Sequence, residues 1–126
     1  MDVNTHLAIS KKFVGEPIEV GLGRASARLV TTSEMVADER GLVHGGFAFG
    51  LADYAAMLAV NDPFVVLGAA DVKFLAPVSV GETLVASAEV TEQKGKKRVV
   101  QCQVRAGKTV FEGTFTCFVL EKHVLD

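Results

Sequence analysis

From about Val65 onward the chain alternates apolar and polar residues in runs: about Val65–Leu75, Thr83–Thr91, Lys97–Ala106 and Lys108–Leu120. Pro77 with Gly81-Glu82, then Lys94-Gly95-Lys96, then Ala106-Gly107 separate these runs, which predicts antiparallel strands joined by short connections. Earlier, Ala25, Ala27 and Leu29 alternate with Ser26, Arg28 and Val30, predicting a strand over about Arg24–Thr32. A charge-rich loop, Ser33 to Val43, leads to Gly45-Gly46 and a segment of Phe, Ala, Leu, Met and Val with no proline before Pro63. That segment is the one clear helix, and its apolar residues lie on nearly every side, so a sheet must wrap around it. Ahead of Arg24, Leu7, Ala8, Phe13 and Val14 fit a short helix whereas Ile18 and Val20 alternate like a strand; residues 1–14 stay open. The order β-helix-β-β-β-β predicts an α+β domain, a curved antiparallel sheet of five or six strands around one long central helix.

Composition narrows the class. A chain of 126 residues with 49% hydrophobic and 22% charged residues suits a single folded domain, and no linker or repeat divides residues 1–126. Lys+Arg 13 against Asp+Glu 15 leaves no basic surplus for a phosphate backbone, so nucleic acid is not an expected partner. The N-terminus lacks the pattern of a signal peptide, and the apolar run Phe47–Val60 is shorter than the roughly 20 residues of a membrane span; the expected location is the cytoplasm, with no membrane partner. Cys102 and Cys117 have the spacing of neither a zinc site nor a redox motif. A hairpin centred on Ala106-Gly107 sets Cys102 opposite about Phe111 and Cys117 opposite about Lys96, too far apart for a disulfide.

Asp53 is the residue that stands out. It is the only charged side chain between Phe47 and Val60, and an unpaired buried carboxylate costs several kcal/mol. A carboxylate bonded to a strand hydroxyl or lysine, or an exposed helix edge, is the ordinary explanation; a catalytic group is the other. The second feature is Gly41-Leu42-Val43-His44-Gly45-Gly46, which puts glycines where the helix starts. Unsatisfied N–H groups there, with the positive end of the helix dipole, can hold a carbonyl oxygen that gains negative charge during attack. A plain glycine-rich helix entry with His44 near the N-cap is the simpler reading of those residues alone. Asp53 lies eight residues beyond Gly45, roughly 12 Å along one helix at 1.5 Å per residue. One carbonyl cannot touch both, so joint action requires a homodimer whose two sites each take one group from each chain.

Asp38 through Asp53 resembles the hotdog-fold acyl-CoA thioesterases of the phenylacetic-acid-degradation type, whose pattern is Asn-x-x-Gly-x-x-His-Gly-Gly with an Asp nine residues after the His. Gly41, His44, Gly45, Gly46 and Asp53 match it, and Val72-Lys73-Phe74-Leu75-Ala76-Pro77-Val78 followed by Gly81-Glu82 is similar to the family's strand and turn after the helix. The resemblance implies a hotdog fold, a homodimer or a homotetramer built from two dimers, and hydrolysis of an acyl-CoA thioester with no metal or other cofactor. Asp53 would be nucleophile or general base, Gly45 the oxyanion donor from the partner subunit, and His44 and Gly46 would shape the loop.

The family's Asn is Asp38 here, a candidate substrate-binding residue. An ionised Asp only accepts hydrogen bonds, and its charge near Asp53 would raise one pKa of the pair. That departure favours a second reading, a hotdog dimer that binds an acyl ligand without turning it over. A hydratase on the same fold is a minor reading, because Asn61-Asp62-Pro63 lacks that chemistry's Asp-x-Asn-Pro-x-His pattern. Lys94, Lys96, Lys97 and Arg98 form a basic turn that either meets coenzyme A phosphates or is a solvated hairpin tip. Phe47, Phe49, Tyr54 and Met57 either line a tunnel or fill the core.

Overall fold

The computed structural model describes residues 1–126. Its elements are β1 (Glu16–Gly21), β2 (Arg24–Val30), a 3-10 turn (Ser33–Met35), α1 (Gly45–Val60), β3 (Val65–Phe74), β4 (Thr83–Lys94), β5 (Lys97–Arg105) and β6 (Thr109–Val119). All six strands pair antiparallel in one sheet of order β1-β2-β4-β5-β6-β3. The helix packs on the face lined by Ala27, Leu29, Leu84, Ala86, Val100, Val104 and Phe115, all fully buried. One long helix held by an antiparallel sheet is the hotdog architecture.

The sheet does not cover the helix alone. The N-terminal segment, open between a short helix and a strand in the sequence, forms neither before Glu16; it lies as a strap of turns along the face that the strands leave uncovered. Gly15 sits where an added Cβ would come within 2.8 Å of Leu51, the His6 ring lies 6.3 Å from that of Tyr54, and Asn4 N–H donates to Asn61 Oδ1 at 2.8 Å. Asn61 closes the helix in the left-handed region (φ 55°) and donates its Nδ2 to Asp2 O at 2.8 Å.

Two expectations are corrected. β4 runs on to Lys94, because after a bulge between Val90 and Glu92 the charged residues still pair with β5, although both faces there are wet and show no alternation. Cys102 faces Gly113 rather than Phe111, and Cys117 faces Arg98 rather than Lys96. Lys108 is part of the turn, where its carbonyl accepts from Ala106 N–H, and the register shifts between Val104 and Arg105. The thiols are still about 13 Å apart along the strands, and both are free and buried.

Candidate active site

The loop before the helix is held from both sides. Thr31 Oγ1 donates to Glu82 O (2.7 Å) and accepts from Gly81 N–H (2.9 Å), while Val43 N–H donates to Val78 O and His44 N–H to Met35 O. Gly41 takes φ +81°, a left-handed conformation that a β-substituted residue adopts only at a cost, and this lets the chain turn back toward Val80. Within that turn Asp38 Oδ1 accepts from Arg40 N–H at 2.9 Å and Leu42 N–H at 3.2 Å. Within one protomer, then, the Asp38 carboxylate is engaged by its own loop. We expect Asp38→Ala to cost about 1–2 kcal/mol in thermal or urea unfolding and Asp38→Asn, which keeps an acceptor oxygen, far less.

His44 is the N-cap of α1. Its Nδ1 accepts from Gly46 N–H at 2.8 Å and its carbonyl accepts from Phe47 N–H at 3.1 Å. A neutral imidazole accepting at Nδ1 carries its proton on Nε2. Of the first three helix amides, Gly46 and Phe47 are thus spent and the Gly45 N–H makes no hydrogen bond in the protomer. Its position at the positive end of the helix suits an anionic oxygen. A Cβ at Gly46 would lie 2.8 Å from His44 Nδ1 and would displace that ring from its capping position, whereas one at Gly45 would lie 3.0 Å from the exposed Phe74 ring, which has room to give by a few tenths of an ångström.

Asp53 stands two turns further along the same helix. Its Oδ1 is buried and has no hydrogen-bond partner. Burial lifts its pKa to about 6, with no contribution from Asp38, so the coupled pair expected from the sequence does not form within a protomer. The Cys102 and Cys117 thiols lie close enough to feel its charge: burial first, and Asp53 second, push each up to about 12, which makes neither a nucleophile at neutral pH. Tyr54 and Met57 are core residues, and Phe49 packs against Phe111 and Phe115 on β6.

An apolar cavity of about 420 Å³ opens beside Gly45. Its exposed rim carries Leu42, His44, Phe74 and Leu75, and its buried floor Val43, Ala48, Val78, Leu84 and Val110. The sequence reading missed this cavity; the only signal for it was a phenylalanine and a leucine at a strand end, which read equally well as core. A larger polar concavity of about 840 Å³ on the sheet's outer face, lined by Ser87, Gln101, Glu112 and others, contains neither Asp53 nor Gly45. The basic turn is exposed at the tip of the β4–β5 hairpin, where Arg98 donates to the carbonyls of Gly95 and Lys97, and Lys97 lies 3.9 Å from Glu92. No group of three or more His, Cys, Asp or Glu is placed to hold a metal, and no helix is long and apolar enough to cross a membrane.

A hotdog sheet with a glycine-started central helix carrying an unpartnered carboxylate defines the class. The chain belongs to the thioesterase superfamily, which residues 40–111 match. A solved structure of an uncharacterized Pyrococcus horikoshii protein is 55% identical with a TM-score of 0.99, covering 100% of this chain and 98% of that one. The Escherichia coli PaaI protein from the phenylacetic acid degradation operon is 29% identical with a TM-score of 0.75, over 82% of this chain and 81% of its own. Among curated relatives, a methylthioribose-1-phosphate isomerase of Aquifex aeolicus is 50% identical over 96% of this chain, and the transcription factor FapR of Caldanaerobacter subterraneus is 33% identical over 93%. The chain spans only 27% and 60% of the lengths of those two proteins.

Proposed function

We propose that the chain is an acyl-CoA thioesterase acting as a homodimer, in which Asp53 of one protomer and the Gly45 N–H of the other serve one thioester. The observation that carries this reading is the pair itself. One helix presents an unbonded N–H at its start and an unpartnered carboxylate oxygen two turns later, too far apart for a single carbonyl. The carbonyl oxygen accepts from Gly45 N–H while Asp53, as base, takes a proton from water. That water's oxygen bonds to the carbonyl carbon, the C–S bond breaks, and the thiolate leaves and takes up a proton, giving free acid and coenzyme A. With Asp53 as nucleophile the same products follow through an acyl-carboxylate intermediate that water hydrolyses. His44 and Gly46 set the loop so that Gly45 N–H alone stays free, and Asp38 closes the turn beneath them. No metal or further cofactor takes part.

The sheet edges suggest how the dimer forms. β1 is short, contains Pro17 and is bulged between Pro17 and Glu19, all features that discourage pairing. β3 is ten residues long and lacks proline, and beyond its own bulge between Leu67 and Ala69 it exposes Ala69-Ala70-Asp71 on its open side. Antiparallel pairing of β3 with its copy about a twofold axis would continue the sheet and set the two helices together. Ala69→Lys with Ala70→Lys should turn the dimer into monomer in light scattering, with hydrolysis falling in proportion to the dimer fraction.

The second reading, a dimer that binds an acyl ligand without hydrolysis, is favoured by one observation: a sequence 33% identical to this chain lies within a longer protein named as a transcription factor. Incubation with a panel of aromatic, short and long acyl-CoAs, following thiol release with a reactive dye and binding by calorimetry, separates the two. Thiol release that disappears in Asp53→Asn supports the thioesterase. Saturable binding with no thiol released from any member supports the binding module.

A further inference from the structure

We propose that Phe74 is the specificity gate of the site, and that the cavity behind it takes an uncharged, apolar acyl tail whose length the ring limits. The inference rests on the thioesterase reading, with which it shares the Gly45 N–H, and adds to it the cavity and Phe74. The cavity begins beside the Gly45 N–H, so a carbonyl bound there directs one of its two substituents inward. Behind the rim, Val43, Ala48, Val78, Leu84 and Val110 present only apolar side chains, and none of the residues that one protomer contributes to the cavity is an Asp, Glu, Lys or Arg. A carboxylate at the end of the tail would therefore be desolvated without a partner.

Phe74 controls the mouth. Its ring carbons lie 3.0 and 3.2 Å from where a Gly45 side chain would start, so the ring packs over the side of Gly45 on which a Cβ would stand. The other side of the ring meets Phe111, fully buried in the core, edge to face at 5.2 Å. Yet Phe74 remains 57% exposed. A large aromatic side chain, anchored on the core at one edge and bare on the other, is placed where any tail entering from Gly45 must pass it.

The test measures kcat/KM for acetyl-, hexanoyl- and dodecanoyl-CoA with wild type, Phe74→Ala, Phe74→Trp and Phe74→Leu. In parallel, calorimetry measures binding of hexanoyl- and adipoyl-CoA to Asp53→Asn and to Asp53→Asn with Phe74→Ala. The expected result is a rise of roughly tenfold or more in the dodecanoyl-to-hexanoyl ratio for Phe74→Ala, a shift toward acetyl for Phe74→Trp, and a profile near wild type for Phe74→Leu. Hexanoyl-CoA should bind at least roughly tenfold more tightly than its ω-carboxylated counterpart. An unchanged chain-length order in Phe74→Ala and Phe74→Trp, or equal binding of hexanoyl- and adipoyl-CoA, overturns the proposal. If wild type releases no thiol, the thioesterase reading fails, and the gate then stands or falls on whether Phe74→Ala, in the Asp53→Asn background, changes which acyl-CoA binds.

Discussion

Asp53→Asn should lower kcat by roughly 10²–10⁴-fold with little change in KM, and the same variant should be more stable than the wild type at neutral pH. The first effect follows from removing the base or nucleophile while keeping shape. The second follows from burial. Asp53 has its pKa raised from 3.8 to about 6 in the folded protein because ionisation there costs solvation. Below about pH 4 the folded and unfolded chains both hold the proton, and Asp53 has no effect on stability. Between 3.8 and about 6 the unfolded chain ionises while the folded one keeps its proton, so stability falls as pH rises. Above that window the penalty is constant, on the order of 1–3 kcal/mol. Asparagine carries no such penalty, so Asp53→Asn should melt several degrees higher at about pH 8 and level with wild type near pH 4. Wild-type kcat/KM should climb with pH through about 6 and then level off, because the ionised form does the work. A melting temperature that drops at all pH values would mean the carboxylate is structural.

The oxyanion donor can be tested as directly, because Gly45 is the first residue of the helix. Proline is well tolerated at that position and lacks an N–H, and His44 already has the extended backbone (φ −61°, ψ 134°) that a following proline demands. Gly45→Pro should therefore delete the donor and leave the helix. Alanine adds a Cβ against the same Phe74 ring and keeps the N–H, so it serves as the steric control. We expect Gly45→Pro to fall roughly 10²–10³-fold below Gly45→Ala in kcat, with similar melting temperatures. Equal activity in the two variants would remove Gly45 from the mechanism.

Much of the architecture was legible because it is written in periodicity. The alternation of Ala25, Ala27 and Leu29 is the burial pattern of β2, and the apolar run after Gly46 is the helix. β1 was harder, since Pro17 and the neighbouring bulge break its alternation and only one neighbour strand supports it. The strap was not legible: Thr5 is buried against the helix side of the molecule although nothing in its sequence neighbourhood reads as core. For the site, Asp53 announced itself as a charge among apolar residues, and the glycine pair as a helix start. What no spacing rule conveys is hydrogen-bond accounting. That His44 Nδ1 consumes the Gly46 N–H, that Phe47 N–H is spent on the His44 carbonyl, and that Asp38 is held by Arg40 and Leu42 are properties of backbone angles. Phe74 was hidden for another reason. A phenylalanine at the end of a strand reads as core until its exposure and its contact with Gly45 are known.

Mixing two inactive proteins tests whether each site takes its carboxylate and its amide from different chains. Asp53→Asn and Gly45→Pro, each carrying its own affinity tag, are co-expressed, and the doubly tagged species is isolated and assayed. In that heterodimer one site joins the intact Asp53 of the Gly45→Pro chain to the intact Gly45 of the other, while the second site has lost both groups. Sites shared between chains should give about half of the wild-type activity per dimer from two parents that have almost none. A heterodimer as inactive as its parents would contradict that arrangement.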